Sequence, residues 1–555
     1  MRGFRRQAGR AAQADWARMA AGGCLALAVA VTVTQAVGVS PAAAQSRPSP
    51  SAAAADTALS WGDNDSGQLG DGTTADSSMP VAVSLPSGVT VTAVAAGAAH
   101  NLAVTSAGTV LAWGGNSSGQ LGDGTTTNRS TPVAVSLPSG VTVTAVAAGA
   151  AFSLALTSAG SILAWGDNTI GQLGDGTTID SPRPVVVRLP TGVTATAVAA
   201  GATHSLAVTS AGTVLAWGAN AVGQLGDGTT TPSRTPVNVS LPSGVTVTTV
   251  AGGDAHSLAL TSAGDVLAWG NNSSGQLGDG TTTNRSTPVA VGTTATAVAA
   301  GIAFSLALTS AGDVLAWGSN SSGQLGDGTT TNRSTPVAVS LPGGTTATAL
   351  AGGDAHGLAV TSGGAAIAWG DNSFGQLGDG TSTDRATPVP VSLPAGATVT
   401  TVAAGAAHSV ALVAPPTSRV TLRVTPSSPE AGQDVTLTAT VTCTGDTPTG
   451  TVTFRDNTTM LATTSLTTAT TASHTTTLAP GAHSLTAVYV SSNTCPDSRS
   501  APVSVTVAPL PDDSGLPITG PNLPTTVGTA ALFILAGAAL IRLTGRRQPA
   551  SRHLR

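Results

Sequence analysis

The sequence contains no lysine, and charged residues make up only 9% of its 555 positions. Aromatic residues are scarcer still, at 3%, with a single tyrosine. So few charges argue against an intrinsically disordered chain, because disorder usually combines low hydrophobicity with high charge. Ala, Thr, Val, Gly and Ser dominate instead, which is typical of short β-strands separated by glycine turns.

The few charges are unevenly distributed. Residues 1–44 and 520–555 each carry five Arg, whereas the segment between them has twelve Arg against 26 acidic residues. An acidic body argues against nucleic-acid binding, which needs a cluster of basic residues. It equally argues against adsorption to anionic lipid.

The N-terminus has the order of a secretory signal peptide. Arg-rich residues 1–18 precede a mostly apolar stretch, and Pro41-Ala42-Ala43-Ala44 supplies an A-x-A cleavage site. We therefore predict an exported chain, with a signal peptide over residues 1–44 and a linker over residues 45–57. The alternative is an N-terminal membrane anchor.

The C-terminus carries a second targeting pattern. The pentapeptide Leu516-Pro517-Ile518-Thr519-Gly520 is followed by an apolar stretch over residues 525–541 and an Arg-rich tail over residues 542–555. This order resembles the LPxTG cell-wall sorting signal of Gram-positive-type bacteria. The resemblance implies a short transmembrane helix at 525–541, a cytoplasmic tail, and cleavage after Thr519 by a sortase that joins the new carboxyl group to peptidoglycan.

The sorting signal predicts a protein of the cell wall and cell surface. The membrane is then contacted only through the C-terminal segment before processing; the alternative is a membrane anchor that is retained. Sortase-built pili and intramolecular isopeptide bonds both need a lysine amine, which this chain lacks. We therefore predict that the protein is attached singly and is not polymerised as a pilin.

A repeat of about 52 residues dominates the sequence. Each copy contains the element W-G-x-N-x-x-G-Q-L-G-D-G and has the pattern of about four strands divided by glycine turns. The Trp residues that mark the copies are Trp61, Trp113, Trp165, Trp217, Trp269, Trp317 and Trp369. Four-stranded units with a period near 50 are typical of propeller blades, so residues 58–413 are predicted to form a seven-bladed β-propeller.

The repeat resembles the regulator-of-chromosome-condensation propeller family, through the G-x-N-x-x-G-Q-L-G element and a G-x-x-H-S-L-A-L element. The first copy begins late, at Ala58, and the last copy ends at Leu412 after its first two strands. One blade is therefore predicted to combine strands from both ends of the repeat region. Closure of this kind removes exposed sheet edges.

Most repeated side chains are predicted to be structural. One Trp in every blade favours packing between blades, with sugar stacking as the alternative. The recurring His is replaced by Phe152 and Phe304 in two copies, which indicates a packing position and not a metal or acid–base site. The Asp of each Gly-Asp-Gly turn is typical of turn chemistry; a ring of Ca²⁺ sites is the alternative, although each copy has few carboxylates. No cofactor is expected.

Residues that depart from the repeat are the candidates for function. They are Ile170, Ile179, Asp180, Arg183, Arg188, Val222, Phe374, Asp254 and Asp354. Ile170, Val222 and Phe374 occupy equivalent loop positions where other copies have Ser, so they are candidate partner contacts, with local packing as the alternative. No catalytic triad or carboxylate pair stands out, and we predict that the protein is not an enzyme.

A second module follows Pro415-Pro416. Residues 417–508 have the pattern of seven short strands, and G-T-V-T-F-R-D at 450–456 resembles bacterial immunoglobulin-like repeats of surface proteins, which implies a β-sandwich. Cys443 and Cys495 should meet at one end of it, and export favours a disulfide between them. Residues 509–515 would be a stem, so the module is interpreted as a spacer.

The sequence thus predicts an all-β chain, a propeller followed by an Ig-like sandwich, between a signal peptide and a C-terminal hydrophobic helix. The predicted function is a cell-wall-anchored, non-enzymatic scaffold that binds an extracellular protein or glycan. The alternatives are a secreted-type inhibitor or receptor-like binder of one partner protein, a wall lyase or hydrolase, and a nucleotide-exchange factor. The shortage of aromatic anchors argues against an inhibitor, and the lack of clustered polar departures argues against an enzyme.

Overall fold

The computed structural model describes residues 57–509 except residues 415, 445, 446, 469 and 494. The predicted signal peptide, LPxTG motif, C-terminal helix and tail lie outside the described residues, as do the linker up to residue 56 and the stem from residue 510. Every regular element that is described is a β-strand, which confirms the all-β prediction. None of the described elements is a helix with the length and apolar character that crossing a bilayer requires.

Residues 57–413 form seven antiparallel sheets of four strands each. The first two strands are β1 (Thr57–Gly62) and β2 (Ser77–Ala82). Sheet 1 is β3 (Val91–Ala96), β4 (His100–Thr105), β5 (Val110–Gly114) and β6 (Arg129–Ala134). Sheet 2 is β7 (Val143–Ala148), β8 (Phe152–Thr157), β9 (Ile162–Gly166) and β10 (Ser181–Val186). Sheet 3 is β11 (Ala195–Ala200), β12 (His204–Thr209), β13 (Val214–Gly218) and β14 (Ser233–Asn238).

The remaining strands of this region continue the same order. Sheet 4 is β15 (Val247–Gly252), β16 (His256–Thr261), β17 (Asp265–Gly270) and β18 (Arg285–Thr294). Sheet 5 is β19 (Ala297–Ala300), β20 (Phe304–Leu308), β21 (Val314–Gly318) and β22 (Arg333–Ala338). Sheet 6 is β23 (Ala347–Gly352), β24 (His356–Thr361), β25 (Ala366–Gly370) and β26 (Arg385–Pro390). The last two strands are β27 (Val399–Ala404) and β28 (His408–Val413).

The seventh sheet, here the closing sheet, joins the two ends of the region in the order β2-β1-β28-β27. β1 pairs antiparallel with β28, with Ala58 opposite Leu412 and Gly62 opposite His408. The first strand of each sheet contacts the first strand of the next, and β27 in turn contacts β3. The seven sheets therefore surround a common centre, and no gap separates the last sheet from the first.

The burial pattern explains why these short sequences form strands. The second and third strands of sheet 2, β8 and β9, are buried at every position and carry mostly apolar residues. Continuous apolar runs are typical of strands that are covered on both faces. In the outer strand β10, partly buried residues are interrupted by exposed residues at every third position. Each sheet thus packs its faces against its neighbours and presents its outer strand to solvent.

The last glycine of each G-Q-L-G element lies against the Trp of the next sheet. A Cβ placed on Gly174 would lie 2.6 Å from Nε1 of Trp217, and Gly174 has a φ of +69°. Gly192 has a similar φ of +79°, but nothing lies within 4 Å of a Cβ placed there. Both glycines therefore have a positive φ, but only Gly174 is in contact with a Trp side chain.

We predict that Gly174→Ala destabilises the ring far more than Gly192→Ala. The second change carries only the cost of a side chain in the left-handed region, about 1 kcal/mol. The first must also displace a fully buried indole, which raises the cost to about 3 kcal/mol or more. Denaturant unfolding of both variants measures the difference; equal losses would show that the glycine is needed for its backbone conformation alone.

Residues 418–507 form two further sheets. The first contains β29 (Ser418–Thr425), β30 (Asp434–Cys443) and β33 (Thr471–Thr477). The second contains β31 (Gly450–Asp456), β32 (Thr459–Ser465), β34 (Gly481–Ser491), β35 (Ser498–Arg499) and β36 (Val503–Val507). These are eight strands where the sequence predicted seven, and the additional strand is the two-residue β35.

The two sheets share one apolar core, in which Leu437, Phe454 and Tyr489 are fully buried. Cys443 and Cys495 are joined by a disulfide, with their Cα atoms 5.9 Å apart. The bond links the end of β30 to the loop after β34, across 52 residues of sequence.

Candidate interaction surface

Each joint between neighbouring sheets is built around one backbone carbonyl group. The carbonyl oxygen of Gln120 in sheet 1 accepts hydrogen bonds from Trp165 Nε1 and Ser153 Oγ of sheet 2, both at 2.8 Å. Ser153 Oγ also lies 3.0 Å from Nε2 of His100 in sheet 1. Because the Ser hydroxyl donates its proton to the carbonyl, it accepts from the imidazole, which places the imidazole proton on Nε2.

Three joints depart from this arrangement. At one of them Phe152 replaces the His, and Ser205 still donates to the Gln172 carbonyl at 2.8 Å. Asn101 replaces the Ser at a second joint; its Nδ2 donates to the Gln68 carbonyl at 2.7 Å, and its Oδ1 accepts from His408 Nε2 at 3.0 Å. Phe304 replaces the His at another joint, and the next sheet then carries Gly357 in place of the Ser. Donor and acceptor disappear together there, so no polar group is left without a partner.

The repeated Trp and His side chains are thus occupied in holding the sheets together. All seven indoles are fully buried, so none can stack on a sugar. The five His side chains are also fully buried, and burial lowers the pKa of each to about 3 or 4. Neutral imidazoles inside the joints are not available as acid–base groups at neutral pH.

The Gly-Asp-Gly turns are satisfied by their own loops. Asp123 Oδ1 accepts from the backbone N–H and the hydroxyl of Thr125, and its Oδ2 forms an ion pair with Arg129 at 2.8 Å. The same ion pair recurs in three other sheets, between Asp279 and Arg285 and at the equivalent positions of sheets 5 and 6. This bonding is typical of a structural turn and leaves few free oxygens for a cation.

Three loops carry two further Asp residues, in addition to the Asp of the Gly-Asp-Gly turn, at positions that are not acidic in the other loops. The pairs are Asp63 with Asp76, Asp167 with Asp180, and Asp371 with Asp384. Sheets 1, 4 and 5 have Asn in place of the second Asp, and a non-acidic residue in place of the first. Asp therefore occurs at both positions of a loop or at neither.

The pair in the first loop is the closest to a metal-ligand arrangement. Carboxylate oxygens of Asp63, Asp65 and Asp76 lie within 4.8 Å of one another. Burial, followed by the charges of Asp76 and Asp65, raises the pKa of Asp63 to about 6. Asp63 is held in place by the Asp65 backbone N–H and by Gln68 Nε2. The loop therefore brings three like charges together.

Replacing the second Asp of a pair by Asn, as in Asp384→Asn, is predicted to stabilise the protein at neutral pH. Asp384 Oδ1 accepts the Asn372 backbone N–H at 2.9 Å, and Asn332 makes the same bond in sheet 5, so the amide preserves it. Burial and then the charge of Asp371 raise the pKa of Asp384, so the change removes a repulsion. Because solvent screens the pair, we expect a gain of about 0.5 kcal/mol at pH 7.5 and none at pH 4. A loss of stability that appears only with added CaCl₂ would instead indicate a cation held by the pair.

A ring of turns surrounds the centre of the seven sheets, one after each innermost strand. Its residues are Ala98, Ala150, Ala202, Asp254, Ile302, Asp354 and Ala406. Backbone bonds connect successive members, as from Asp254 N to the Ile302 carbonyl and from Ile302 N to the Asp354 carbonyl, both at 3.3 Å. Burial raises the pKa of Asp254 to about 6. Asp254 and Asp354 are the two acidic members of this ring, and Ile302 lies between them.

The three predicted partner contacts differ in their exposure and lie in different sheets. Ile170 is 36% exposed, whereas Val222 and Phe374 are partly buried. Each donates its backbone N–H to a Gln side chain of its own loop, and they lie in sheets 2, 3 and 6. Sheet 6 is not adjacent to sheets 2 and 3, so Phe374 lies apart from the other two around the ring. The LPxTG residues, Leu516 to Gly520, lie outside the described part of the chain.

Four exposed apolar residues were not found from the sequence: Met79, Val186, Met460 and Val490. Val186, on the outer strand of sheet 2, is 62% exposed, and Ile179 in the loop before that strand is 73% exposed. Val186 replaces the Ala of other sheets, and a change between two small apolar residues gives no sequence signal of exposure. Together with Arg183 and Arg188, Ile179 and Val186 concentrate the departures from the repeat in sheet 2.

Two domain families match the chain. The family described as RCC1-like domain matches residues 57–411, and the family described as bacterial Ig-like domain (group 3) matches residues 420–508. The ultraviolet-B receptor UVR8 of Arabidopsis thaliana is 33% identical over 358 residues, which is 64% of this chain and 70% of UVR8.

Two solved structures show the same fold. Human WBSCR16 superposes with a TM-score of 0.59 and 26% identity, over 65% of this chain and 99% of that one. Yeast RCC1 (Prp20), in its complex with Kap60, superposes with a TM-score of 0.58 and 23% identity, over 69% of this chain and 96% of that one. The two family matches confirm the predicted propeller and Ig-like families, and the solved structures show the fold of the propeller region.

Proposed function

Because the chain belongs to the family of RCC1-like propeller proteins, we propose that it is a surface-displayed, non-enzymatic binding scaffold with a seven-bladed propeller as its recognition domain. The Ig-like module serves as the spacer, and the LPITG segment at residues 516–520 attaches the protein to peptidoglycan through a sortase. The ligand is an extracellular protein or glycan.

This proposal rests on a difference between two sets of side chains: repeated ones that hold the propeller together, and exposed ones that vary between sheets. The repeated polar side chains, Trp, His, Ser and Asp, are engaged in joints and turns, as Trp165, His100 and Asp123 illustrate. What remains free to vary is the exposed surface of individual sheets. A scaffold of this kind suits recognition, since function is located in sites that are placed on a fold. Relatives support the proposal, because UVR8 is a receptor and Prp20 is found bound to Kap60.

The disulfide between Cys443 and Cys495 and the bacterial Ig-like match support an extracellular location. Mass spectrometry of protein released from the wall by a muralytic enzyme tests the anchoring. We expect a C-terminus at Thr519 that carries a peptidoglycan fragment. An intact C-terminus beyond Gly520 would reject sortase processing and leave a membrane anchor.

Affinity capture with residues 45–519 against wall extracts and culture proteins tests the binding function. We expect a retained partner and no change in the glycan or peptide composition of the wall material. Hydrolysis of the glycan without a retained partner would reject the scaffold and favour a wall hydrolase.

A further inference from the structure

Sheet 2 differs from its sister sheets along its whole outer edge. The exposed positions of β10 are Arg183 and Val186, and Arg188 is the exposed residue two positions after the strand. At the same positions sheet 5 has Thr335, Ala338 and Ser340, and sheet 1 has the same three residue types. Ile179 also replaces a Thr that sheets 1, 3, 4, 5 and 6 share. We call Ile170, Ile179, Arg183, Val186, Arg188 and the neighbouring Arg234 of sheet 3 the sheet-2 rim.

The rim contains every propeller Arg that is not used in a turn. Residues 57–414 have seven Arg, and four of them pair with the Asp of a Gly-Asp-Gly turn. The other three are Arg183, Arg188 and Arg234, which form no ion pair with any described residue. Unneutralised cations are therefore confined to one sector of the propeller.

Glycines lie close to all three Arg residues. A Cβ placed on Gly124 of sheet 1 would lie 2.5 Å from Arg183 Nη2, and one on Gly176 would lie 2.9 Å from Arg188 Nη1. The Arg234 stem lies on Gly171 in the same way, next to Ile170. The Gly176 backbone N–H donates to the Arg234 carbonyl at 3.0 Å, which connects the two sheets at this point. The guanidinium group of Arg183 thus lies against a turn of sheet 1, and that of Arg188 lies against a turn of its own sheet.

The nearby acids are turned toward their own loop. Asp167 accepts from Gln172 Nε2 at 2.6 Å, Asp175 accepts from Thr177, and Asp180 accepts from the Asn168 backbone N–H. Their charges weaken the positive potential of the rim, but their oxygens are engaged with the donors of the loop. The guanidinium groups of Arg183 and Arg188 belong to exposed residues.

Apolar surface accompanies the cations. Ile179 and Val186 are 73% and 62% exposed, and a groove of about 550 Å³ runs past Val186, Arg188 and Leu189. Pro182 and Pro184 lack the N–H groups with which an edge strand would pair with another strand. A ligand of this edge is therefore contacted mainly through side chains.

We propose that the sheet-2 rim is the docking site for an acidic peptide segment of a partner protein, one that carries carboxylates for Arg183 and Arg188 and apolar side chains for Ile179 and Val186. This inference rests on the proposed binding function and specifies its site. Charge complementarity selects the occupant: residues 57–414 carry eighteen Asp against seven Arg, so an acidic segment is repelled by most of the propeller and attracted to this sector. The surface thereby orients the partner as well as binding it.

A library of random twelve-residue peptides, displayed on phage and selected on residues 45–519, tests the proposal. The repaired variant Ile179→Thr, Arg183→Thr, Val186→Ala and Arg188→Ser uses only residues of the sister sheets, so it retains the repeat. We expect the selected peptides to be rich in Asp or Glu with interspersed apolar residues. Their affinity, measured by fluorescence polarisation, should fall at least tenfold on the repaired variant and should weaken as salt rises.

The matched control transfers the rim to sheet 5. Thr335→Arg, Ala338→Val and Ser340→Arg, introduced into the repaired variant, should restore part of the lost affinity. Selected peptides that bind the repaired variant equally well would overturn the rim while leaving the binding function intact, and neutral or basic sequences would overturn the charge argument. If no acidic peptides are selected but a glycerol-phosphate polymer binds in a way that depends on the rim, the ligand is a wall polymer and not a peptide. The absence of any enriched peptide or polymer would count against the rim and the scaffold together.

Discussion

The propeller is expected to lose stability steeply as the pH falls from about 6 to 4. Five imidazoles, those of His100, His204, His256, His356 and His408, are fully buried in the joints, and burial lowers the pKa of each to about 3 or 4. In the unfolded chain each titrates near 6.5. Below that pH the unfolded state binds up to five more protons than the folded state, so acid favours unfolding.

Each additional proton that the unfolded state binds lowers the free energy of unfolding by about 1.4 kcal/mol for every unit by which the pH falls. Aspartates with a raised pKa act in the opposite sense, because the folded state takes up their protons first. Burial raises the pKa of Asp63 and Asp254 to about 6 and also raises that of Asp167 and Asp384. Five turn aspartates have a lowered pKa and act with the imidazoles: Asp123, Asp175, Asp279, Asp327 and Asp379. The net loss is then about 4 kcal/mol per pH unit between pH 6 and pH 4, which would consume most of a typical folding stability within two units.

Tryptophan fluorescence measures this loss in the ring alone, because all described Trp residues lie in the seven sheets. Denaturant midpoints at pH 7.5, 6, 5 and 4.5 should fall progressively. His204→Phe reproduces the Phe152 and Ser205 combination that the protein already uses, so it should fold and reduce the slope by about one proton. A slope that is unchanged by His204→Phe, or midpoints that stay constant to pH 4.5, would show that the imidazoles are not the acid-sensitive groups.

The Ig-like module should respond differently. His483 Nδ1 lies 2.6 Å from Asp456 Oδ2, and its Nε2 lies 2.7 Å from the Ala479 carbonyl. The hydrogen bond to Asp456, and then that to Ala479, raise the pKa of His483. Its contribution to stability is present below pH 6.5 and is lost as the pH rises through the folded-state pKa. Acid should therefore unfold the ring before this module.

The second large effect is expected from the strand that closes the ring. Replacing Thr57–Gly62 by a six-residue Gly-Ser segment removes β1, which lies between β2 and β28. The change removes the buried side chains of Leu59 and Trp61, and with Trp61 the bond from its Nε1 to the Gln376 carbonyl. Losses of about 3–5 kcal/mol for each large core side chain make a total near the whole stability of a domain.

We therefore expect that this variant has no cooperative fluorescence transition and aggregates through the exposed edge of β28. The matched control replaces Pro242–Gly244, an exposed loop segment, by Gly-Ser-Gly and should unfold like the native chain. A variant without β1 that still unfolds cooperatively at the native midpoint would show that six sheets suffice for the ring.

The repeat itself explains how much could be predicted from the sequence. Period, turn glycines and the late start at Ala58 together predicted four-stranded units and a shared sheet, since these depend on local pattern and chain order. The hydrogen bonds of the joints could not be predicted. The acceptor at each joint is a backbone carbonyl group, such as that of Gln120, and every residue type has one, so the sequence does not mark it. The His was correctly predicted to be structural, although its bond to the Ser of the next sheet was missed.

The sheet-2 rim shows a second limit. Arg183, Arg188 and Ile179 were identified as departures, but their shared surface depends on an irregular register between Ser181 and Val185. That irregularity places Arg183 and Val186, three residues apart, among the exposed positions, where a regular strand would alternate. Pattern reasoning assumes a period of two, so it did not group these residues. Conversely, Ile170, Val222 and Phe374 share a repeat position and lie in different sheets.

The central claim, that the first and last strands of the repeat region share one sheet, is tested most directly by an engineered disulfide. Ser60 and Val410 are opposite residues of β1 and β28, and opposite Cα atoms of antiparallel strands lie about 4.5–5.5 Å apart, within the range that a disulfide bridges. In the variant Ser60→Cys and Val410→Cys, mass spectrometry after proteolysis should find these two cysteines linked within one chain, while Ser60→Cys with Val402→Cys, on the non-adjacent β27, should leave both thiols free. Free thiols in the first variant, or links only between chains, would contradict the closed ring.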